Sequence, residues 1–247
     1  MPKYQSYCDD YYININLSTE MELSTQRETI LNFFERIQKK YPEMRNFYNR
    51  DRNDFVLEED KHRGCYRWCT TEPRRICSGQ LNPETCEGAL EQHRLILDLA
   101  PYMLSVSPLD CEALDVLYGF DFNYRGNHNA LLAEALGVPM GLERIADMPG
   151  GRIVNYEPSL TMSLDEECRV QCRVSVETRT NAYHIRTGEY PEDQISVFVS
   201  ARRYGSLPPE TTFTASLDEL DQICRDLIDN YVIDALLEPL ARTIAMK

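Results

Sequence analysis

The stretch from Val116 to Asn129, VLYGFDFNYRGNHN, limits the folds open to this chain more than any other. Aromatic residues occupy every second position from Tyr118 to Tyr124, with Gly, Asp and Asn between them. Because successive side chains of a strand point to opposite faces, this period of two predicts a β-strand with one buried aromatic face. Gly126 and Asn127 then break the strand, and the following ALLAEAL predicts a helix over roughly 128–136.

The same template occurs near the N-terminus, where YYININL (11–17) also has an apolar residue at every second position. Two further landmarks recur in the same order, a Cys-x-x-x-Cys pair and an Arg-Arg pair. Their members are Cys65 and Cys69 with Cys168 and Cys172, and Arg74-Arg75 with Arg202-Arg203. We therefore expect an internal duplication, with halves at 9–104 and 110–247 and a connector between Pro101 and Pro108.

Each half is predicted to run strand, helix, two or three strands, helix. The second half is predicted to have long strands at about 152–163 and 167–179, and loops at 137–151 and 181–193. Asn82 followed by Pro83 predicts the start of one long helix, and Ser216 with Glu219 predicts a capping box at the start of another. The fold class that follows is α+β, a mainly antiparallel sheet shared by two similar halves, with helices packed on one face.

The net charge and the lengths of the apolar runs argue against two classes of partner, nucleic acids and membranes. The 247-residue chain carries a net charge of −14, which disfavours nonspecific nucleic-acid binding because phosphate contacts require a basic surface. Its apolar runs are too short to span a membrane, and its first residues lack the apolar core of a signal peptide. We therefore expect a cytoplasmic protein without nucleic-acid or membrane partners, whose nine cysteines are reduced.

Cysteines are dense between His62 and Cys86, which raises the question of a zinc site. Cys65 and Cys69 have a spacing found in zinc ligand pairs. On a strand, however, both thiols would share one face about 13 Å apart, which is too far for one metal ion. The prediction is that these cysteines, and the pair Cys168 and Cys172, are small core residues and that the chain has no metal site.

Two groups of polar residues are candidates for ligand binding. Asp121, Asn123 and Arg125 share one face of the predicted strand, and His128 follows it. A histidine beside a carboxylate can perform acid–base chemistry, although a solvated strand face and a helix cap at Asn127 explain the same residues. Arg202 and Arg203 could bind a carboxylate or phosphate, or could pair with carboxylates of the chain itself.

No nucleotide-binding or nucleophile-elbow motif occurs, so the sequence predicts no cofactor and no catalytic residue. The leading hypothesis is a non-enzymatic binding or assembly protein that uses the cleft or surface between its halves. The alternative is a small-molecule-processing enzyme with a polar site near Asp121, Arg125 and His128. Trp68 is expected under a helix, and His93 is expected to be structural.

The C-terminal helix is rich in apolar residues beyond its stripe of Leu220, Ile223, Leu227 and Tyr231. Pro239 is expected to kink or end it. The surplus around Leu236 to Ile244 predicts a homodimer through this helix, because large exposed apolar patches are uncommon on monomers. The alternative is that these residues close over the N-terminal half.

Overall fold

A computed structural model describes residues 4–247 as an α+β fold built on one nine-stranded antiparallel sheet, which confirms the predicted fold class. The elements up to residue 103 are β1 (Asp10–Thr19), α1 (Arg27–Lys40), β2 (Asn46–Asp51), β3 (Asp54–Glu58), β4 (Tyr66–Glu72), β5 (Arg75–Leu81) and α2 (Cys86–Met103). Those that follow are β6 (Cys111–Arg125), α3 (His128–Leu136), α4 (Met140–Ala146), β7 (Ser159–Ser163), β8 (Val170–Glu177), α5 (Ala182–Thr187), β9 (Glu192–Tyr204), α6 (Phe213–Leu227), a π-helix (Ile228–Leu237) and α7 (Glu238–Ala245).

The two strands with the repeated template lie side by side at the centre of the sheet. The strand order is β2-β3-β4-β5-β1-β6-β9-β8-β7, and β1 pairs with β6 in antiparallel register. Each of these strands therefore begins one half and forms its inner border. The internal duplication itself stays a prediction, because a common element order does not by itself establish that the halves superpose.

The sheet has two chemically different faces. On β1 the apolar positions Tyr11, Ile13, Ile15 and Leu17 are fully buried, while the polar positions between them are partly exposed. The buried side, called here the helix face, packs against α2 and α6, and Tyr118 on this face donates a hydrogen bond to Asp221 of α6. The opposite side, called here the open face, carries the alternate residues. This is the pattern expected of an antiparallel sheet covered on one side.

Both long helices begin a few residues from the predicted caps. The Thr85 side chain accepts a hydrogen bond from the Gly88 N–H at the start of α2, and Thr212 accepts one from Ala215 at the start of α6. Asn82 instead accepts from the Tyr11 N–H and closes the end of the sheet, and Ser216 lies buried inside α6. The predicted caps at Asn82 and Ser216 are therefore wrong, because each side chain has a tertiary environment that local spacing does not reveal.

Short elements were missed where the sequence is rich in polar residues and turns. The charged segment EMRNFYNRDRND (43–54), whose composition predicts turns, contains β2, and the predicted loops at 137–151 and 181–193 contain α4 and α5. The strand predicted at about 152–163 has only five residues, Ser159–Ser163, and the ladder with β8 begins at Ser159. Cys168 lies in the β7–β8 turn with φ of +54° and is exposed, so the predicted strand position for this cysteine is wrong.

The C-terminal helix continues through Pro239 as a π-helix followed by α7. A proline ring in an α-helix clashes with the carbonyl four residues earlier, and the wider π-helical turns precede this position. α7 packs against α3, and Leu237 and Leu240 are fully buried within the chain. These two leucines are therefore unavailable to a second copy, and α7, which carries Leu240, packs on α3 of the second half.

Within residues 4–247, none of the helices combines the length and the apolar character needed to cross a membrane.

Candidate functional site

Two aromatic rings lie over glycines on the open face. Trp68 of β4 pairs with Gly79 of β5, and a Cβ on Gly79 would overlap the indole ring. Tyr12 of β1 pairs with Gly119 of β6, and a Cβ there would overlap the phenol ring. The missing side chains let both rings lie close to the backbone of the sheet.

A recess of about 380 Å³ lies on the open face of the first half. Trp68 and Tyr66 line it, with ring centroids 5.3 Å apart, and Tyr48 of the edge strand β2 lines it as well. Asn14 and Asn16 of β1 supply amide groups on the side nearest the second half. We call this space the open-face recess.

The charged side chains of the open-face recess form ion pairs with one another. Arg50 contacts Asp54 at 2.8 Å, Arg75 contacts Glu72 at 2.6 Å, and Lys61 contacts Glu58 at 3.1 Å. The hydrogen bonds that Arg50 and Lys61 donate to Asp54 and Glu58 raise the pKa of both cations, so both stay protonated. The recess therefore presents donors and acceptors with little net charge.

A polar connection joins the recess to the second half. The Asn16 amide donates to Asp115 at 2.8 Å, and the Arg202 guanidinium donates to the same carboxylate at 2.7 Å. Burial alone would lower the pKa of Arg202, but Tyr204 and Asp115 raise it. The open face is therefore continuous across the border between the halves.

No protein-family model matches the chain, and no curated protein matches it either.

Cys77 is the thiol that lines the open-face recess, beside the hydroxyl residues Thr70 and Ser78. Burial raises the pKa of the Cys77 thiol to about 11. Because the thiolate is the reactive form of cysteine, this thiol is protonated and weakly nucleophilic near neutral pH.

The structure separates the predicted ligand-binding residues. Asp121 and Asn123 lie on the open face as expected, where the Ser196 hydroxyl donates to the Asp121 carboxylate at 2.6 Å. Desolvation raises the pKa of Asp121, which is buried. Arg125 lies at the far end of β6 and donates to the Tyr190 carbonyl, in a shallow recess beside α5.

His128 is buried at the start of α3, and both of its ring nitrogens bond to the backbone. The Arg179 N–H donates to Nδ1, so Nε2 carries the proton and donates to the Tyr124 carbonyl. Desolvation lowers the pKa of His128. This environment describes a neutral histidine that fixes the β6–α3 turn.

Arg202 and Arg203 point to opposite faces of β9 and bind different carboxylates of the chain. Arg202 lies on the open face with Asp115, whereas Arg203 lies on the helix face and contacts Glu219 at 2.6 Å. Alternation along the strand prevents both guanidinium groups from binding one ligand.

Sequence reasoning missed the members of the open-face recess. Trp68 was expected under a helix and instead lies on the open face, because the helices pack against the other side of β4, where Cys69 is buried. The pairing of Gly79 with Trp68 would have indicated the recess, but this pairing depends on the strand register, which the sequence does not show. In the described range, no three His, Cys, Asp or Glu side chains converge to hold a metal ion.

Proposed function

We propose that the protein is a non-enzymatic binding protein whose open-face recess holds an uncharged, polar small molecule with at least one flat face. The observation that carries this proposal is the Trp68 ring lying over Gly79 inside the recess. A ring held in this way offers its π-face for stacking without reorganisation. The proposed surface lies on the sheet shared by both halves.

The electrostatics of the open-face recess support a neutral ligand. Each cation in it already contacts a carboxylate, so an anionic ligand would have to displace an existing ion pair. The net charge of −14 also repels anions at long range. Hydroxyl or amide groups can bond to Asn14, Asn16 and the outer atoms of the ion pairs at lower cost.

Trp68 is the single tryptophan of the chain, so its fluorescence reports on the recess directly. The experiment is a titration with a library of uncharged sugars, nucleosides and aromatic amides, followed by intrinsic fluorescence and by melting temperature. A ligand bound only by the native state raises the melting temperature and shifts the Trp68 emission together. Charged analogues of each hit should bind more weakly.

The matched variants are Trp68→Phe, which keeps a smaller ring, and Trp68→Ala. Affinity measured by calorimetry should fall slightly in the first variant and strongly in the second. Tyr183→Ala, at an exposed tyrosine in α5, is the control and should bind normally. Ligands that bind all four proteins equally would contradict the proposal, and so would a library without any hit.

No specific observation favours the alternative hypothesis of an enzyme with a polar site near Asp121, Arg125 and His128. His128 uses both ring nitrogens on backbone groups, and Arg125 bonds to a carbonyl at a separate recess. These residues read more simply as supports of the β6–α3 turn and of the α5–β9 connection.

A further inference from the structure

The edge strand β7 differs from the other edge strand, β2, because it carries no charged residue. All five of its residues are exposed, and the sequence SLTMS contains no charge and no proline. Native sheets usually protect an exposed edge with charges, prolines, bulges or a covering element. The opposite edge, β2, carries Arg50 and Asp51, and Arg50 is paired with Asp54.

Half of the backbone groups of β7 point away from the sheet. The Leu164 N–H donates to the Val170 carbonyl, and the Val176 N–H donates to the Pro158 carbonyl. Because bonded pairs alternate along an antiparallel ladder, Leu160 and Met162 bond to β8. The N–H and C=O groups of Ser159, Thr161 and Ser163 therefore face outward.

An apolar groove of about 730 Å³ lies beside the same strand on the helix face. Leu160 and Met162 of β7 form one side of it, Val174 and Val176 of β8 form its floor, and Tyr231 lies on the side of the C-terminal helix. Leu160 is 60 % exposed and Tyr231 is 66 % exposed. The groove and the outward-facing backbone thus belong to one surface, called here the β7 surface.

We propose that the β7 surface binds a second copy of this chain, through antiparallel pairing of the two β7 strands about a twofold axis at Thr161. The segment PSLTMSL (158–164) reads with the same chemistry in both directions around Thr161. In this register Ser159 pairs with the partner's Ser163, and Thr161 pairs with the partner's Thr161. All outward-facing groups of β7 are then used, with about six hydrogen bonds formed, two for each bonded pair.

The same register places the apolar side chains correctly. Leu160 lies opposite the partner's Met162 at a non-bonded pair, where side chains approach most closely. Both side chains point to the helix face, so each extends the apolar wall at the mouth of the partner's groove. A one-residue slip would turn them to the open face, which is why this register is specified.

Charge separates a second copy from other occupants. The proposed contact contains no charged residue, whereas each chain carries a net charge of −14. Two copies therefore repel at long range, and salt should strengthen the dimer by screening that repulsion. A basic peptide from another protein would show the opposite salt dependence, so the salt response distinguishes a second copy from a basic peptide.

The test is sedimentation equilibrium of the full chain at about 0.05 M NaCl, where charges are weakly screened, and at about 0.5 M NaCl, where they are strongly screened. Wild type should form a species of twice the 28.7 kDa chain mass, more tightly at high salt. Met162→Lys places a charge on the exposed edge and should weaken the dimer at least about tenfold. Thr161→Pro removes an outward N–H, which an edge strand tolerates, and should do the same.

Matched controls are Thr161→Val, which keeps the backbone donor, and Asn32→Lys, which adds the same charge as Met162→Lys at an exposed site on α1. Both should dimerise like wild type. Hydrogen exchange should show concentration-dependent protection of the Ser159, Thr161 and Ser163 amides. A wild-type monomer at about 100 μM and high salt, well above a micromolar Kd, would overturn the proposal. A dimer unaffected by Met162→Lys would overturn it as well, whether or not Thr161→Pro folds.

Discussion

The two halves differ in what covers the helix face of the sheet beside their outer strands. In the first half, α1 covers the helix face near the edge, where the Phe34 ring lies 5.6 Å from Phe47 of β2. In the second half the helix in the corresponding chain position, α3, has nine residues instead of fourteen and packs against α7. The helix face of β7 and β8 is left with an apolar groove.

This difference shows that one element order can place a helix over the helix face near the edge in one half and leave a groove there in the other. The first half covers the helix face near its edge with α1, although Phe47 of β2 is still 43 % exposed, and it presents the open-face recess on its other side. The second half leaves apolar residues and edge backbone exposed together. We infer that the first half is suited to a small ligand and the second half to another chain.

The largest expected effect on the free energy of unfolding concerns α1, the helix that covers the helix face near β2. Phe34 is buried, so Phe34→Ala should lower the free energy of unfolding by about 3–5 kcal/mol through lost burial and the cavity left behind. Leu160→Ala, at the uncovered end of the second half, should cost about 0.5 kcal/mol or less in dilute protein. Urea unfolding measures both values, and similar losses would remove the contrast between the two ends.

The two long helices should also differ in their response to pH. Burial lowers the pKa of His93 on α2 to about 3, between Ser78 and the Ile13 carbonyl. The unfolded chain binds this proton near pH 6.5, so stability is lost as pH falls below that value, by about 3 kcal/mol between pH 7 and 4. His93→Gln should flatten that loss in urea unfolding at several pH values.

Asp221 on α6 gives the opposite sign. Desolvation raises the pKa of the Asp221 carboxyl, so the folded state binds the proton more readily than the unfolded state. This carboxyl therefore favours unfolding as pH rises from the pKa of the unfolded chain through the raised pKa of the folded state. Asp221→Asn should therefore leave the His93-dependent loss on acidification in place and make it steeper. An unchanged slope in both variants would show that neither group governs the pH dependence.

On the open face, an aromatic ring lies over a glycine in each half, at Gly79 of β5 and at Gly119 of β6. Adding a methyl group at either position forces Trp68 or Tyr12 to move, which should cost about 1–3 kcal/mol. Gly79→Ala should in addition shift the Trp68 emission, whereas Gly119→Ala should not. Gly141→Ala, where a Cβ meets open space, is the control and should not destabilise the protein.

The smallest effects concern the helix starts, where the halves should agree. Thr85→Ala and Thr212→Ala each remove a cap and should each cost about 1 kcal/mol. Ser216→Ala should cost less, because the buried Ser216 hydroxyl has no hydrogen-bond partner in the described part of the chain. A larger loss for Ser216→Ala than for Thr212→Ala would restore the predicted capping box.

The sequence alone determined the α+β class, the antiparallel sheet with helices on one face, and the alternation of β1 and β6. It also located α3 at His128–Leu136 and gave His93 a structural role. These features follow from periodicity, which short-range patterns report faithfully because each strand or helix repeats its own geometry.

Only the tertiary structure decided the sites. The pairing of Trp68 with Gly79, the separation of Arg202 from Arg203, and the burial of Leu237 and Leu240 all depend on which element lies beside which. The caps at Thr85 and Thr212 were missed for the same reason, since Asn82 bonds to Tyr11 of β1 and Ser216 is buried inside α6. Periodicity tells which face a side chain occupies, whereas register and packing decide what that face meets.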